Sequence, residues 1–256
     1  MSTRLLSRCA ATVSAAVVAA TAGLAVASPA FADDVRLTSA SISASTFVIN
    51  GDAGCSTRAT VTAKVYDDSS DTNELISVAT DVTFNPTGAF ADFKELSFSS
   101  SSGDTQTFTG KIELCGFHDP GKYTARVYAY WYQEGNPEPQ VTERNLALTI
   151  QRPSTLTYNA SPEPVKRGKS LTHSGQLKRD AKGPGAMYGP QGVTVKFYFR
   201  AYSWSNYVYK GSVKTGANGK YSKKIAAWDS GWWKVVYEGE YWRQSVTKWD
   251  EVKVNR

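Results

Sequence analysis

The chain has 256 residues, of which 41% are hydrophobic and 12% aromatic, and it carries a formal net charge of +6. That length corresponds to about two ordinary domains, each large enough to bury a hydrophobic core. With only two histidines and three cysteines, and no familiar catalytic or zinc motif, the sequence argues against most histidine-dependent chemistry.

The first 32 residues have the pattern of a signal peptide rather than of a folded element. Arg4 and Arg8 give a positively charged start, residues 10–27 are small and apolar, and Ala30-Phe31-Ala32 has the small-x-small form of a cleavage site. A membrane anchor is the alternative, but a run built mostly from Ala, Val, Thr and Ser is marginal for spanning a bilayer. We therefore expect a bacterial exported chain from which residues 1–32 are removed, without a transmembrane segment in the mature protein.

Export also determines the state of the cysteines. Cys9 leaves with the signal peptide, and its position before the apolar run is wrong for lipid attachment. Cys55 and Cys115 remain, and two cysteines in an oxidising compartment are expected to form a disulfide. A catalytic role for either cysteine lacks an accompanying histidine motif.

Charge divides the mature chain into two halves. Residues 33–152 contain 9 Lys and Arg against 16 Asp and Glu, a net charge of −7, whereas residues 153–256 contain 18 against 7, a net charge of +11. Mutual attraction of the halves, together with solubility, is one explanation. The other is that the basic half faces a polyanion, such as a wall polymer, an acidic polysaccharide or a nucleic acid.

Residues 33–152 predict a first all-β domain. Hydrophobic and polar residues alternate at the spacing of half-buried antiparallel strands, and no helix is indicated. If Cys55 and Cys115 flank the second and fifth strands of a sandwich, the two cysteines meet at one end of a sheet. The predicted strands are residues 35–50, interrupted by the small residues 41–45, and residues 59–65, 75–84, 89–98, 108–114, 123–131 and 146–150.

Residues 153–256 predict a second all-β domain. The connection Gln151-Arg152-Pro153 is too short for a flexible linker, so we expect limited hinge freedom between the domains. The glycine-containing segment at residues 215–219 predicts a hairpin between the strands that flank it. The predicted strands are residues 154–160, 171–177, 193–199, 207–214, 220–226, 232–237 and 245–254.

One pattern occurs in both halves and indicates the architecture. Residues 119–127 and 229–237 each begin with Asp, continue with Gly, and then place a large or apolar residue at every second position, with Tyr123 and Trp233 in matching places. A bend of this kind enters the sixth strand of an immunoglobulin-like sandwich, where the ring packs at the sheet end and its polar tip reaches back to nearby backbone. We therefore predict two tandem immunoglobulin-like antiparallel β-sandwiches, over residues 33–152 and 153–256.

The second half also carries several segments typical of one kind of bacterial module. They are Ser161-Pro162, residues 169–177, residues 193–200 ending in Tyr-Phe-Arg, Gly219-Lys220-Tyr221, residues 231–239 and residues 250–254. Through these segments, residues 155–254 resemble the immunoglobulin-like modules at the ends of many secreted actinobacterial proteins. The resemblance implies an extracellular sandwich without catalytic activity, and His173 departs from the apolar residue expected at its position.

Catalytic chemistry has little support in the sequence. His118 and His173 fall in different predicted domains, and neither belongs to a spaced nucleophile or zinc motif. We expect His118 in a turn and His173 in the core or at a sheet edge. A carboxylate pair can cleave glycosides without histidine, and a hydrolase of that kind is the enzymatic alternative, but no spacing singles out a pair.

One acidic loop offers hard oxygen ligands. Asp67, Asp68, Asp71 and Glu74 lie close together in sequence, and such side chains suit calcium. The loop lacks the glycine and the full spacing of a calcium hand, and runs of charge are more often solvated faces. A solvated loop is therefore the main interpretation, and a calcium-stabilised extracellular structural protein is the alternative. No other cofactor is predicted.

The basic half holds six of the seven tryptophans. We expect Trp233 in the core, and we expect several other rings to plug the ends of the sandwich or the seam between domains, which is the commoner role for such residues. Rings exposed among cations can instead stack on sugars or bases while Lys and Arg hold acidic groups. The candidate ligand-binding residues are Tyr198, Arg200, Tyr202, Trp204, Trp232 and Lys234.

Taken together, these patterns predict a secreted, non-catalytic binding protein that is extracellular or associated with the cell wall. Its predicted partner is a cell-wall polymer, an acidic glycan or another extracellular protein, contacted through the second domain. Nucleic acid is disfavoured, because the chain is exported and shows no nucleic-acid-binding motif.

Overall fold

The computed structural model describes residues 35–51, 53–67, 74–132, 136–181 and 185–255, with backbone alone at residues 74–76. The predicted signal peptide lies outside these residues. Across the described ranges the chain forms nineteen strands and one 3₁₀ turn, Ala217–Gly219, which confirms the predicted all-β class. This part of the chain contains no helix with the length and hydropathy needed to cross a membrane.

The first nine strands form one sandwich. One of its sheets has the order β1-β3-β7-β6 and the other has the order β2-β9-β8-β4-β5. The strands are β1 Arg36–Ile42, β2 Thr46–Val48, β3 Thr57–Tyr66, β4 Glu74–Phe84, β5 Ala89–Glu95, β6 Ser97–Ser102, β7 Thr105–Leu114, β8 Gly121–Tyr132 and β9 Gln140–Gln151.

This order is that of an immunoglobulin sandwich, with the first strand shared between the sheets. The small residues 41–45 separate β1 from β2, and the two strands join opposite sheets, which confirms the predicted interruption. Every strand pair is antiparallel except β2 with β9, which is parallel.

Alternation along β8 shows how the sequence builds the first core. Five residues at every second position point inward and are buried, while their neighbours face outward. Tyr123 begins this stripe, and its hydroxyl donates a hydrogen bond to the Asp119 carbonyl oxygen, 2.6 Å away. Burial raises the pKa of Tyr123 to about 12, so the hydroxyl keeps its proton across the ordinary pH range. The predicted tyrosine corner is therefore confirmed. The inward residues are Tyr123, Ala125, Val127, Ala129 and Trp131.

A disulfide joins Cys55 to Cys115, as predicted. Cys55 lies just before β3, and Cys115 directly follows β7. Since β3 and β7 are antiparallel neighbours, the start of one lies beside the end of the other. The bond therefore crosslinks two strand ends of one sheet rather than the two sheets.

The remaining strands form a second sandwich. One sheet pairs β13 with β10, β11 and β16; the other has the order β15-β14-β17-β18; and β12 pairs in parallel with β19. This is again an immunoglobulin-like arrangement. The strands are β10 Ser154–Leu156, β11 Asn159–Ser161, β12 Val165–Lys166, β13 Ser170–Arg179, β14 Thr194–Ala201, β15 Val208–Lys214, β16 Lys220–Ala226, β17 Gly231–Tyr237, β18 Val246–Val252 and β19 Val254–Asn255.

The prediction of a hairpin at residues 215–219 is wrong. β15 pairs with β14 and β16 pairs with β13, so the segment carries the chain from one sheet to the other. The local conformation is still that of a tight turn, with positive φ at Asn218 (55°) and Gly219 (72°). Turn residues report only this local geometry, whereas strand pairing depends on which sheet buries each strand's apolar face.

Trp233 is buried in the second core, as expected. The contact predicted for its polar tip is wrong, because the indole N–H has no hydrogen-bond partner among the described residues. An indole N–H projects from the flank of the ring, whereas a tyrosine hydroxyl extends from its end and can reach past the sheet.

A buried polar joint connects the two sandwiches. Arg152 is fully buried, and its guanidinium donates to the carbonyl oxygens of Ile49 (3.0 Å), Gly116 (2.6 Å) and His118 (2.7 Å), all in the first sandwich. Its backbone N–H donates to the Trp242 carbonyl oxygen of the second sandwich, 3.0 Å away.

Asp180, which follows β13 of the second sandwich, also contributes hydrogen bonds to the joint. Its carboxylate accepts from the Gly51 N–H at 2.6 Å, and its carbonyl oxygen accepts from Arg243 at 2.7 Å. Arg243 also lies over the Trp242 ring, 3.9 Å from the centroid. These contacts restrain the short connection between the sandwiches.

Candidate binding face of the second sandwich

The outer surface of the sheet β15-β14-β17-β18 carries aromatic and cationic side chains side by side. Residues that alternate with the buried ones on β14 and β17 point outward, and the antiparallel register sets them in rows across the sheet. One row pairs Tyr209 with Tyr198, Tyr198 with Lys234, and Lys234 with Trp249. The next row pairs Arg200 with Trp232 and Trp232 with Glu251. We call this surface the cation–aromatic face and define it by Tyr198, Arg200, Tyr207, Tyr209, Trp232, Lys234 and Trp249.

Two cations of this face rest against tyrosine rings. The Lys234 Nζ lies 4.9 Å from the Tyr198 ring centroid and 4.4 Å from that of Tyr207. The Arg200 guanidinium carbon lies 5.1 Å from the Tyr207 centroid. Contacts at these distances stabilise a cation without neutralising it.

The neighbouring acids have other partners. Glu238 forms an ion pair with Lys196 (2.6 Å), and Glu251 accepts a hydrogen bond from the Tyr202 hydroxyl. That hydrogen bond raises the pKa of Tyr202. Within the described part of the chain, neither Arg200 nor Lys234 has a carboxylate within ion-pairing distance. Their positive charge therefore remains available to a ligand.

The structure brings together four of the six residues predicted from the sequence. Tyr198, Arg200, Trp232 and Lys234 share the cation–aromatic face. Tyr202 lies at its edge, against Glu251 of β18.

Trp204 is placed differently from its predicted partners. Its ring packs edge-on against the inward-facing Phe199, with centroids 5.8 Å apart, and the Lys210 Nζ lies 5.9 Å from its centroid. Trp204 therefore covers the end of the core while part of its ring stays exposed.

Sequence reasoning missed three aromatic members of the face. Tyr207 and Tyr209 flank Val208, whose partner Phe199 faces inward, and this alternation was the available signal. Trp249 could be placed only through its pairing with Lys234. Tyr209 and Trp249 are 52% and 56% exposed, so both offer ring surface to solvent.

The tryptophans of the second sandwich are divided between buried and exposed positions. Trp233 is core, and Trp242 packs on Arg243 at the joint. Trp228 and Trp249 are among the most exposed large side chains of the described residues. Only Trp232 and Trp249 lie on the cation–aromatic face.

Both histidines are buried in the described structure. His173 is fully buried, its Nδ1 hydrogen-bonds with the Tyr158 hydroxyl at 2.8 Å, and its ring lies 4.2 Å from that of Trp233. Burial lowers the pKa of His173 to about 4. His118 lies in the turn after β7, where its Nδ1 accepts the Cys115 N–H at 3.1 Å, and burial lowers its pKa as well. The expectation of a turn residue is confirmed for His118, and His173 is a core residue, although its Nε2 has no hydrogen-bond partner among the described residues.

The acidic loop remains a prediction. Asp68 and Asp71 lie outside the described residues, as does the side chain of Glu74. Asp67 is largely buried and accepts a hydrogen bond from the Gln106 side chain at 3.0 Å. Among the described residues, no three His, Cys, Asp or Glu side chains are grouped as a metal site requires.

Comparison with protein-family models and with curated proteins gives no match. Among solved structures, the chain is similar to the two immunoglobulin domains of DIP-gamma, with 13% identity over 82% of this chain and 93% of that one and a TM-score of 0.27. It is similar to the ectodomain of mouse nectin-like molecule 4, with 12% identity over 86% and 65% and a TM-score of 0.29. It is also similar to the Escherichia coli adhesin FdeC, with 16% identity over 86% and 66% and a TM-score of 0.29. At these values the strand order, rather than the likeness, carries the assignment of the immunoglobulin-like fold.

Proposed function

We propose that this is an exported, non-catalytic binding protein whose second sandwich holds an anionic polymer, such as an acidic glycan or a wall polymer, on the cation–aromatic face. One observation carries the proposal. Arg200 and Lys234 are held by tyrosine rings on the outer surface of a sheet, and no described carboxylate pairs with them.

The chemistry of the face suits a chain of acidic sugars. Rings such as those of Tyr209 and Trp249 stack on the apolar faces of sugar units, while Arg200 and Lys234 pair with carboxylate or phosphate groups. An open sheet surface accepts an extended chain across its rows, whereas a small ligand is better held in a concave pocket. The net charge of +11 on residues 153–256 adds a long-range attraction for such a polymer.

The test is a binding titration of the purified protein with polygalacturonate, compared with neutral dextran, at a series of salt concentrations. We expect binding to polygalacturonate only, with an affinity that falls as salt rises, because bound counterions are released from the polymer. The double variant Arg200→Gln/Lys234→Gln should bind at least about tenfold more weakly and should show a shallower salt dependence, by about one unit of slope per lost contact.

Lys224→Gln supplies the matched control. Lys224 is exposed on β16, in the opposite sheet, so its replacement changes net charge without touching the cation–aromatic face. An equal loss of affinity per removed charge in Lys224→Gln and in the double variant would show that net charge alone drives binding. Binding that does not respond to salt would overturn the electrostatic part of the proposal.

A further inference from the structure

Strand β6 is an unprotected sheet edge. It ends the order β1-β3-β7-β6, so its outer side has no strand partner among the described residues. All six of its residues, Ser-Phe-Ser-Ser-Ser-Ser, are exposed, and the strand contains neither a charged residue nor a proline. Exposed edges of this kind are templates for pairing with another strand, and proteins usually block them.

The other edges of the first sandwich are blocked. At β1, the Leu37 N–H donates to the Thr142 hydroxyl and the Leu37 carbonyl oxygen accepts from Arg144 at 3.1 Å. Strand β2 has only three residues. Strand β5 carries Asp92, Lys94 and Glu95. Short length, capping and charge are all established ways of blocking an edge.

The second sandwich is protected mainly by lysines. Strand β15 contains Lys210 and Lys214, and β16 contains Lys220, Lys223 and Lys224. The Lys223 ammonium also donates to the Ser212 carbonyl oxygen of β15 at 3.1 Å. Against this background the uncharged β6 is exceptional among the described edge strands of six or more residues.

An apolar side chain and a hollow lie on the same edge. Phe98 is 59% exposed, although it pairs with the buried Phe108 and points toward the core side of the sheet. Beside it is a hollow of about 320 Å³, lined in part by Phe98, Ser101 and Gln106. A second strand laid along β6 would cover both.

We propose that β6 pairs antiparallel with β6 of a second copy of this chain about a two-fold axis, extending the sheet across two molecules. The argument for this occupant is self-complementarity. Over residues 97–102 an antiparallel pair of these serine-rich strands brings no like charges together, and a two-fold axis uses the same surface on both copies.

The side-chain parity of β6 agrees with a definite register. Phe98 pairs with Phe108 and Ser101 with Gln106, so Phe98 and Ser101 face the same side across the bulge at Ser99. An axis between Ser99 and Ser100 places each Phe98 opposite Ser101 of the other copy, at the rim of its hollow. The bulge divides the edge into two short runs, so we expect a reversible dimer rather than a permanent one.

Sedimentation velocity over a range of protein concentrations tests the proposal. The expected result is a concentration-dependent shift from monomer to dimer that persists at high salt, because backbone pairing is not a charge interaction. The variant Ser101→Lys should weaken the dimer by about tenfold or more, since it sets lysines on facing strands against a neutral edge. Hydrogen exchange of the β6 amides should slow in the dimer and return to the monomer rate in the variant.

Ser41→Lys is the matched control, because Ser41 is an exposed serine on β1, the edge already capped by β9. Thermal unfolding of both variants shows that they fold. A protein that remains monomeric at every concentration would overturn the proposal. So would a dimer that Ser101→Lys leaves unchanged, or a salt-sensitive series of larger oligomers, which would point to attraction between the acidic and basic halves.

Discussion

The two sandwiches are both immunoglobulin-like but treat their outward cations differently. In the first, Arg126 lies over Tyr128, 5.1 Å from the ring centroid, and also forms ion pairs with Asp81 (2.6 Å) and Glu143 (3.7 Å). In the second, Arg200 lies at the same 5.1 Å from the Tyr207 centroid without a described carboxylate beside it. Aromatic support of a cation is thus common to both folds. The difference is that Arg126 is paired with carboxylates, whereas no described carboxylate pairs with Arg200.

The two corner residues, Tyr123 and Trp233, also differ in whether their polar atoms have a partner. The Tyr123 hydroxyl is hydrogen-bonded to Asp119, whereas the Trp233 indole N–H and the neighbouring His173 Nε2 are buried without a partner among the described residues. A buried polar group without a partner costs about 1–3 kcal/mol. The first sandwich therefore satisfies its polar groups at this position, and the second leaves them unsatisfied.

The largest expected effect comes from the crosslink that only the first sandwich contains. The disulfide closes a 60-residue separation, and the chain-entropy model assigns such a loop about 4 kcal/mol of stability. The variant Cys55→Ser/Cys115→Ser should lose about that much, and the loss should fall on the first sandwich. Hydrogen exchange resolved by peptide measures it, with faster exchange in β3 and β7 and unchanged exchange in β13 and β17. Equal losses in both sandwiches would show that the joint at Arg152 couples their unfolding.

The second effect is acid sensitivity of the second sandwich. The pKa of His173 is about 4 in the folded protein and near 6.5 in the unfolded chain, so the unfolded state binds the extra proton between these values. Burial of neutral His173 therefore costs no stability above about pH 6.5. As the pH is lowered toward 4, the free energy of unfolding falls by about 3 kcal/mol in total. Urea unfolding at pH 7, 6 and 5 follows this loss before most carboxylates titrate.

Replacing both partners of the hydrogen bond between His173 and Tyr158 tests whether His173 causes this pH dependence. In His173→Leu/Tyr158→Phe no polar side-chain atom of the pair is left in the core, and the pH slope of the second sandwich should disappear. His118→Gln is the control, because His118 lies in the first sandwich and its loss should leave that slope intact. A slope that survives in the double variant would assign the acid sensitivity to other groups.

Alternation in the sequence was enough to predict most strands and both cores, because inward residues of β8 and β17 recur at every second position. The prediction of a hairpin at residues 215–219 was wrong because the residues of a turn do not specify which sheet the next strand joins. The burial of Arg152 depends on carbonyl groups of Ile49, Gly116 and His118, which are distant in sequence. On the face, parity placed Trp232 and Lys234, but Trp249 required the strand register.

The smallest expected effects come from removing the polar groups of the two corner residues, Tyr123 and Trp233. Tyr123→Phe removes only the hydroxyl that donates to Asp119, and we expect a loss of about 1 kcal/mol, the usual net contribution of such a hydrogen bond. Replacing Trp233 by benzothienylalanine exchanges the indole N–H, which has no described partner, for a sulfur atom that donates no hydrogen bond, so stability should stay level or rise. Chemical unfolding of the two proteins beside the unmodified chain measures both changes. If the benzothienyl replacement destabilised the second sandwich as much as Tyr123→Phe destabilises the first, the Trp233 N–H must be bonded in solution, and the two corners would be equivalent.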